Sequence, residues 1–219
     1  MRRMFRGPCY ADAVRTDFEP TQLPPREFYR LLTSVIVPRP IAWVSSVSAE
    51  GVDNLAPHSF FTVASVTPPI IMFTSVGAKD TLRNIETTHD FVVNFSPASL
   101  FEQINATGTN FAPDVSEFDR AGLTREASRT VRAQRVLESP TALECRLHRT
   151  IPMGDCTLVF GEVTHAVVDS AVLDGVHPRI ELLDPLARLG RDEWGTLGPI
   201  REIARIRAAD WPGHFEPRP

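Results

Sequence analysis

Two stretches early in the chain carry the side chains best suited to holding a small polar ligand. NLAPHSFF supplies Asn54, Ser59 and the aromatic pair Phe60–Phe61, and TSVGAKDTLRN supplies Thr74, Ser75, Lys79, Asp80 and Thr81. The second stretch reads as a strand end running into a helix, with Asp80 as N-cap and Leu82 and Ile85 on one face. A helix N-terminus presents N–H groups without helical partners and a partial positive charge, so it suits a phosphate. Lysine and threonine there add one charge-assisted donor and one neutral donor. A plainer account stands beside this one. Asp80 then only caps the helix, Lys79 is solvated, and Trp43, Phe60 and Phe61 bury into a core as strand aromatics do.

Other chemistries lack their signatures. The chain has no GxSxG elbow, no GxxxxGK[ST] loop, no GxGxxG, no HExxH and no CxxC. The histidines His58, His89, His148, His165, His177 and His214 show no i,i+4 pair, and each alone reads as a surface or core residue. Cys9, Cys145 and Cys156 have neither metal-ligand spacing nor an even count for disulfides. We expect no metal site, and thiols kept reduced in the cytoplasm. No catalytic side chain can be assigned from these patterns.

The elements that must position these residues are short and β-rich. At 219 residues, 42% hydrophobic and 23% charged, the chain fits one domain with terminal extensions. A net charge of -4 gives no reason to expect nucleic acid or an anionic membrane as partner. Arginine far outnumbers lysine. The basic opening MRRMFRG lacks the apolar stretch of a signal peptide, and no apolar run reaches the ~20 residues of a membrane helix. Strands are predicted at 41–48, 59–66, 69–76, 91–95, 142–149, 157–168 and 179–182. Helices are predicted at 25–32, from Asp80, from Ser96 or Pro97, at SEFDRAG and over 200–208. Strands joined by short turns, with isolated helices between them, predict a small antiparallel barrel.

VPRPIAWVSSVSAEG poses a separate question, because proline cannot donate to a β-ladder. Prolines at 38 and 40 either protect an edge strand or hold the backbone open for something other than a strand.

The order of these pieces resembles one family. Val37 to Asn94, followed by NATG at Asn105, EFDRAGLT at Glu117, ESPTALECRL at Glu138, GEV at Gly161 and LDPLARLGRDEW at Leu183, is similar to the flavin reductase-like FMN-binding split barrels of the flavoredoxin type. The resemblance covers roughly residues 28 to 198. It implies a mainly β fold, a six-stranded antiparallel split β-barrel with a few short flanking helices, and a homodimer with FMN at the subunit interface. The domain plan becomes an extension at 1–24, the barrel at 25–198, and a C-terminal helix and tail at 199–219. The prolines would then leave Arg39 free beside the flavin, and Trp43, Val44, Ser45 and Ser46 would run along it. Asn54, Ala56, Ser59 and Phe60 would meet the ring and ribityl chain, with Ser75, Lys79 and Thr81 at the phosphate.

The family further implies hydride transfer from NAD(P)H to the flavin, and electrons passed to a partner monooxygenase or another small-molecule acceptor. A non-catalytic FMN-binding or electron-carrier protein is the alternative, and a flavin-free interaction module a third. One position departs from the pattern. Related reductases carry Gly-Asp-His near the nicotinamide site, whereas this chain reads MGDCTLVFGEV, with Cys156 in place of the histidine.

Overall fold

The computed structural model describes residues 14–211; the MRRMFRG opening, Cys9 and His214 lie outside them. Helix α1 (Pro25–Val35) begins with proline inside its first turn, where a missing N–H costs nothing. It stops ahead of Pro38, since a residue before proline is pushed out of the helical region.

The strands in chain order are β1 (Arg39–Pro40), β2 (Ala42–Val47), β3 (Asp53–His58), β4 (Phe61–Ser65) and β5 (Ile70–Val76). Then come helix α2 (Asp80–Thr88), β6 (Asp90–Asn94) and helices α3 (Phe101–Ala106) and α4 (Glu117–Ala121). The two-residue bridges β7 (Arg125–Glu126) and β8 (Arg135–Val136) lead to the long hairpin β9 (Thr141–Met153) and β10 (Cys156–Val168). The small elements β11 (Leu173–Asp174), β12 (His177–Pro178), α5 (Ile180–Leu183), β13 (Ala187–Arg188) and β14 (Trp194–Gly195) complete the fold.

The main sheet is antiparallel and has seven strands in the order β3-β2-β6-β9-β10-β5-β4. Its two outermost strands are consecutive in the chain, separated only by Ser59 and Phe60. Counted as one strand bent at those residues, β3 and β4 turn the seven into the six of the expected barrel. The bend is the seam at which the sheet meets itself, and Thr74 N donates to Phe60 O across it at 2.9 Å.

Strand β2 runs through the middle with Ala42 to Ser46 buried, and its alternating side chains serve two cores. Ala42 and Val44 join Phe73, Phe91, Val93, Val159 and the α2 residues Leu82 and Ile85. Trp43 points the other way and packs with Leu55, Ile104, Phe118, Val136 and Leu186. Glycine is required where β10 crosses the first core, because a Cβ on Gly161 would lie 2.3 Å from Phe91 Cζ.

Five expectations need correction. Strand β3 is an addition: Asp53, Asn54, Pro57 and His58 do not read as strand, yet they pair with β2 from Val47 to Ala42. Arg39 and Pro40 are not left unpaired, since they bridge Arg188 and Ala187. Residues 179–182, predicted as a strand, instead cap and enter the short helix α5 (Ile180–Leu183), with Leu182 N and Leu183 N both donating to Arg179 O. Lys79, extended at φ -93° and ψ 169°, is the N-cap of α2; Asp80 is the first helical residue and pairs with Arg83. The segment 200–208 is not helical, and only a single turn at Ala208–Asp210 appears. All of 196–211 is exposed; an isolated segment of that length has no packing to offset helix nucleation. No described helix is long and apolar enough to cross a membrane.

Candidate functional site

A groove of about 630 Å³ lies between β3 and its bend, the end of β5, the start of α2 and the 107–110 loop. That volume falls within the range of about 300–1,000 Å³ usual for cofactor and ligand sites.

One end is the N-terminus of α2. Its N-cap makes no side-chain hydrogen bond, so the first N–H groups of the helix have no capping acceptor. Lys79, the only lysine in the chain, lines the groove here with Thr81 and Arg83. Arg83 pairs with Asp80 and donates to Ala78 O at 2.8 Å, while Lys79 forms no salt bridge among the described residues. The helix start and Lys79 therefore give this end donors that no neighbouring carboxylate of the described residues pairs with.

The floor is a buried polar network. Asn54 Oδ1 accepts from the Thr81 hydroxyl at 2.9 Å and the Ser46 hydroxyl at 3.3 Å, and Asn84 Nδ2 donates to Ser46 Oγ at 3.2 Å. Asn54 Nδ2 donates at 3.0 Å to Glu117 Oε2, which also accepts from Leu55 N at 2.9 Å. Through this carboxylate α4 closes the outer edge of β3, where a neighbouring strand would otherwise bond. Burial raises the Glu117 pKa above its ordinary value, and the donors from Leu55 and Asn54 only partly oppose the rise.

His58 forms part of the wall. Its ring lies 4.7 Å from that of Phe73, and its buried Nε2 has no hydrogen-bond partner. Burial, reinforced by the Lys79 charge, lowers its pKa to about 4 against the opposing carbonyl of Thr74, so the imidazole is neutral at pH 7. At the bend, Phe60 packs edge-on to Tyr29 of α1, and Ser59 Oγ accepts from Arg39 Nε at 3.4 Å.

Of the residues singled out in the sequence, the groove gathers Asn54, Ala56, Ser59, Phe60, Lys79 and Thr81. The other six lie behind or beside it. Arg39 is buried and donates to the carbonyls of Thr33, Ile36 and Leu189, so it is not free beside a ligand. Trp43 is fully buried and donates to Thr107 Oγ1 at 2.9 Å, and Val44 belongs to the first core. Ser45 donates to Gln134 O, Ser46 supports Asn54, and Ser75 donates to Gly77 O at 2.9 Å. These six shape the groove through the residues they hold. Sequence reasoning missed His58, Glu117, Arg83, Arg188 and the 107–110 loop as lining. His58 stands inside NLAPHSFF and Arg188 inside LDPLARLGRDEW, so their segments were visible although their orientation was not.

Comparison with known proteins agrees with this architecture. Residues 34–184 match the family model of the flavin reductase like domain. A protein of Aquifex aeolicus is 39% identical over 168 residues, covering 74% of this chain and 86% of that one. Nitrilotriacetate monooxygenase component B from Bacillus cereus superposes with a TM-score of 0.84 at 34% identity, over 88% of this chain and all of that one. The 2-nitrobenzoate 2-nitroreductase NbaA of Pseudomonas fluorescens gives 0.83 at 29% identity, over 90% of this chain and all of that one. Flavoredoxin of Desulfovibrio vulgaris, at 23% identity and a TM-score of 0.71 over 78% of this chain and 92% of that one, shares the fold.

Proposed function

The chain belongs to the flavin reductase like family, and from that premise we propose that it binds FMN in the groove and acts as an NAD(P)H-dependent oxidoreductase delivering electrons to a partner oxygenase or a small-molecule acceptor. The observation carrying this reading is the uncapped start of α2, with Lys79 and Thr81 beside it, at one end of a cavity of cofactor size. The donor set fits FMN: unpaired N–H groups and cations suit its phosphate, and the polar floor suits a polyol.

Lys79, Thr81 and the first N–H groups of α2 hold the phosphate in this reading. Asn54 and Glu117 fix the Thr81 hydroxyl, while Ala56, Ser59 and Phe60 bound the ring end. When bound, FMN supplies the two-electron redox chemistry, and the protein supplies orientation and electrostatics. Neutral His58 keeps a second positive charge away from Lys79. The names of two neighbours, a monooxygenase component and a nitroreductase, support redox partnership with an oxygenase or an organic acceptor.

A second reading, an electron carrier or FMN-binding protein slow with NAD(P)H, is favoured by one observation. Cys156 sits at the start of β10, donates to Asp155 Oδ1 at 3.3 Å, and has a pKa raised by burial and Asp155, so it is a neutral thiol. It offers neither the charge nor the donor strength of an imidazole. We further propose a homodimer in the cytoplasm. Strand β4 exposes Thr62, Val63 and Ala64, with Val66 beside them, and Cys145 and Cys156 are free thiols.

The deciding experiment pairs two ligands. Lys79→Ala should weaken FMN about tenfold or more while barely changing riboflavin, which lacks the phosphate. Equal loss of both would move the phosphate elsewhere. The visible spectrum of the purified protein, followed by anaerobic NADH and NADPH titration, separates reductase from carrier. Sedimentation of an FMN-loaded monomer at micromolar concentration would reject the dimer.

A further inference from the structure

Beside the main groove a second cavity of about 230 Å³ opens, sharing Pro57, Ser59, Gly108 and Arg188 with it and adding the indole of Trp194. A cavity of about 150 Å³ accommodates benzene, so this one has room for a single aromatic ring and a small substituent. Gly108 lines both spaces. A Cβ there would stand 3.2 Å from Asn105 O and 3.6 Å from Pro57 Cγ, so a larger residue would crowd the junction between them.

The charges around this cavity are out of balance. The β1–β13 register sets Arg39 directly opposite Arg188, and like charges facing across a ladder destabilise it. Arg39 is satisfied only by neutral groups, the carbonyls of Thr33, Ile36 and Leu189 and the oxygen of Ser59. Arg188 lies over the Trp194 ring at 4.6 Å and donates to Arg191 O at 2.9 Å. Its one carboxylate neighbour among the described residues is Asp192, 3.5 Å away and fully exposed; such a pair contributes little. Most of the five guanidinium donors of Arg188 therefore have no protein acceptor. Ser59 accepts from Arg39, which leaves its own hydroxyl hydrogen available to a ligand. One under-satisfied cation on the cavity wall, a spare hydroxyl donor and an indole beside a ring-sized space together describe an absent partner that is anionic and flat.

We propose that this cavity binds a small planar aromatic carboxylic acid, its carboxylate held by Arg188 and the Ser59 hydroxyl and its ring placed along Trp194. The acid is the second substrate only if the main groove holds the flavin, as argued above; its binding does not depend on that reading.

The test is calorimetric titration of the purified protein, with FMN added, using benzoate, its uncharged isostere benzamide, and inorganic phosphate. Benzoate should bind about tenfold tighter than benzamide, the discrimination expected of a charge-assisted pair. Arg188→Gln should bring the ratio near one, Arg188→Lys should restore part of it, and Trp194→Leu should weaken both ring ligands. Equal binding of benzoate and benzamide by the unsubstituted protein overturns the proposal without recourse to any variant. So does phosphate binding as tightly as benzoate, which would indicate an anion site with no ring recognition. Displacement of benzoate by FMN, mole for mole, also overturns it, because the cavity would then belong to the flavin site. Selective benzoate binding by a protein that takes up no FMN supports this cavity and sinks the proposed function instead.

Discussion

Glu117 and Glu144 are both withdrawn from water, with 5% and 0% of their surface exposed, yet their surroundings drive them in opposite directions. Glu144 on β9 is desolvated, which alone would raise its pKa. It accepts from Arg129 N at 2.9 Å, Thr130 N at 2.6 Å and the Thr130 hydroxyl at 2.8 Å, with Arg135 Nη1 at 3.2 Å. These donors outweigh burial and hold the carboxyl below its ordinary value. Glu117 has two neutral donors from Asn54 and Leu55 and no cation, so burial prevails and its pKa rises. His58, on the same groove wall as Glu117, is likewise pushed toward its neutral form. The buttress around Glu144 completes its charges internally, whereas the groove wall leaves its titratable groups under-compensated. Folding alone explains the first arrangement; the second suits the FMN site proposed above.

The largest expected effect lies in the buttress. Glu144→Gln removes the fully buried charge partner of Arg135 and leaves it only the more exposed Glu126 at 3.0 Å, and urea unfolding should show a loss of about 3 kcal/mol. FMN affinity of the folded variant should stay within about twofold of the parent. A large loss of FMN binding would erase the contrast between the regions.

Acidification should expose the groove wall next. The unfolded chain protonates His58 near 6.5 and the native protein only near 4, so the unfolded state binds more protons between those values. Stability must fall as pH falls through that window, by about 3 kcal/mol from this group at full burial. His58→Phe should remove most of that loss in urea titrations at pH 6.5 and pH 4. An unchanged pH dependence would show that His58 is solvated.

The two glutamates give a smaller effect of opposite sign. With its native pKa raised, Glu117 contributes stability when protonated, and that contribution fades as pH climbs through the native value. Glu144, with its pKa depressed, contributes above its unfolded value and loses that contribution as pH drops through its native one. Glu117→Gln should therefore lie within about 1 kcal/mol of the parent at pH 7. Glu117→Leu, which leaves Asn54 Nδ2 and Leu55 N without their acceptor, should weaken FMN about tenfold by releasing Asn54 and with it the Thr81 hydroxyl. Unchanged FMN affinity would place the Asn54 network outside the binding site.

Cys156 belongs to neither region and sharpens the comparison by its smallness. Cys156→His should alter stability by less than about 1 kcal/mol, since the position is only partly buried at the start of β10. It should speed flavin reduction by NADH in stopped-flow without changing FMN affinity. A parent already reduced rapidly, and not improved by the histidine, would argue against a role for this position.

Much of this architecture was readable from residues alone. The apolar runs with turn signals located β2, β4, β5, β6 and the β9–β10 hairpin, and the phosphate-like chemistry of KDT lies on a groove. What escaped depends on contacts between distant residues. Strand β3 looks like a loop because Pro57 and Asn54 interrupt its pattern, and its outer edge is closed by Glu117, far along the chain. Ser45, Ser46 and Ser75 carry suitable hydroxyls, but carbonyls or amides of their own chain claim them. Arg39 faces Arg188 only because β1 meets β13, a pairing for which two-residue strands leave no periodic trace.

The bend at Ser59 and Phe60 also bears on how the barrel comes together. Its two halves are arms of separate local hairpins, β2 with β3 and β4 with β5, so both can form before any distant strand arrives. Sequence-distant pairing is left to β2 with β6, β6 with β9 and β10 with β5. The step with the greatest chain-entropy cost is thus the docking of the β9–β10 hairpin between β6 and β5. The seam then acts as a hinge between neighbours, and the barrel can shut there without closing a long loop.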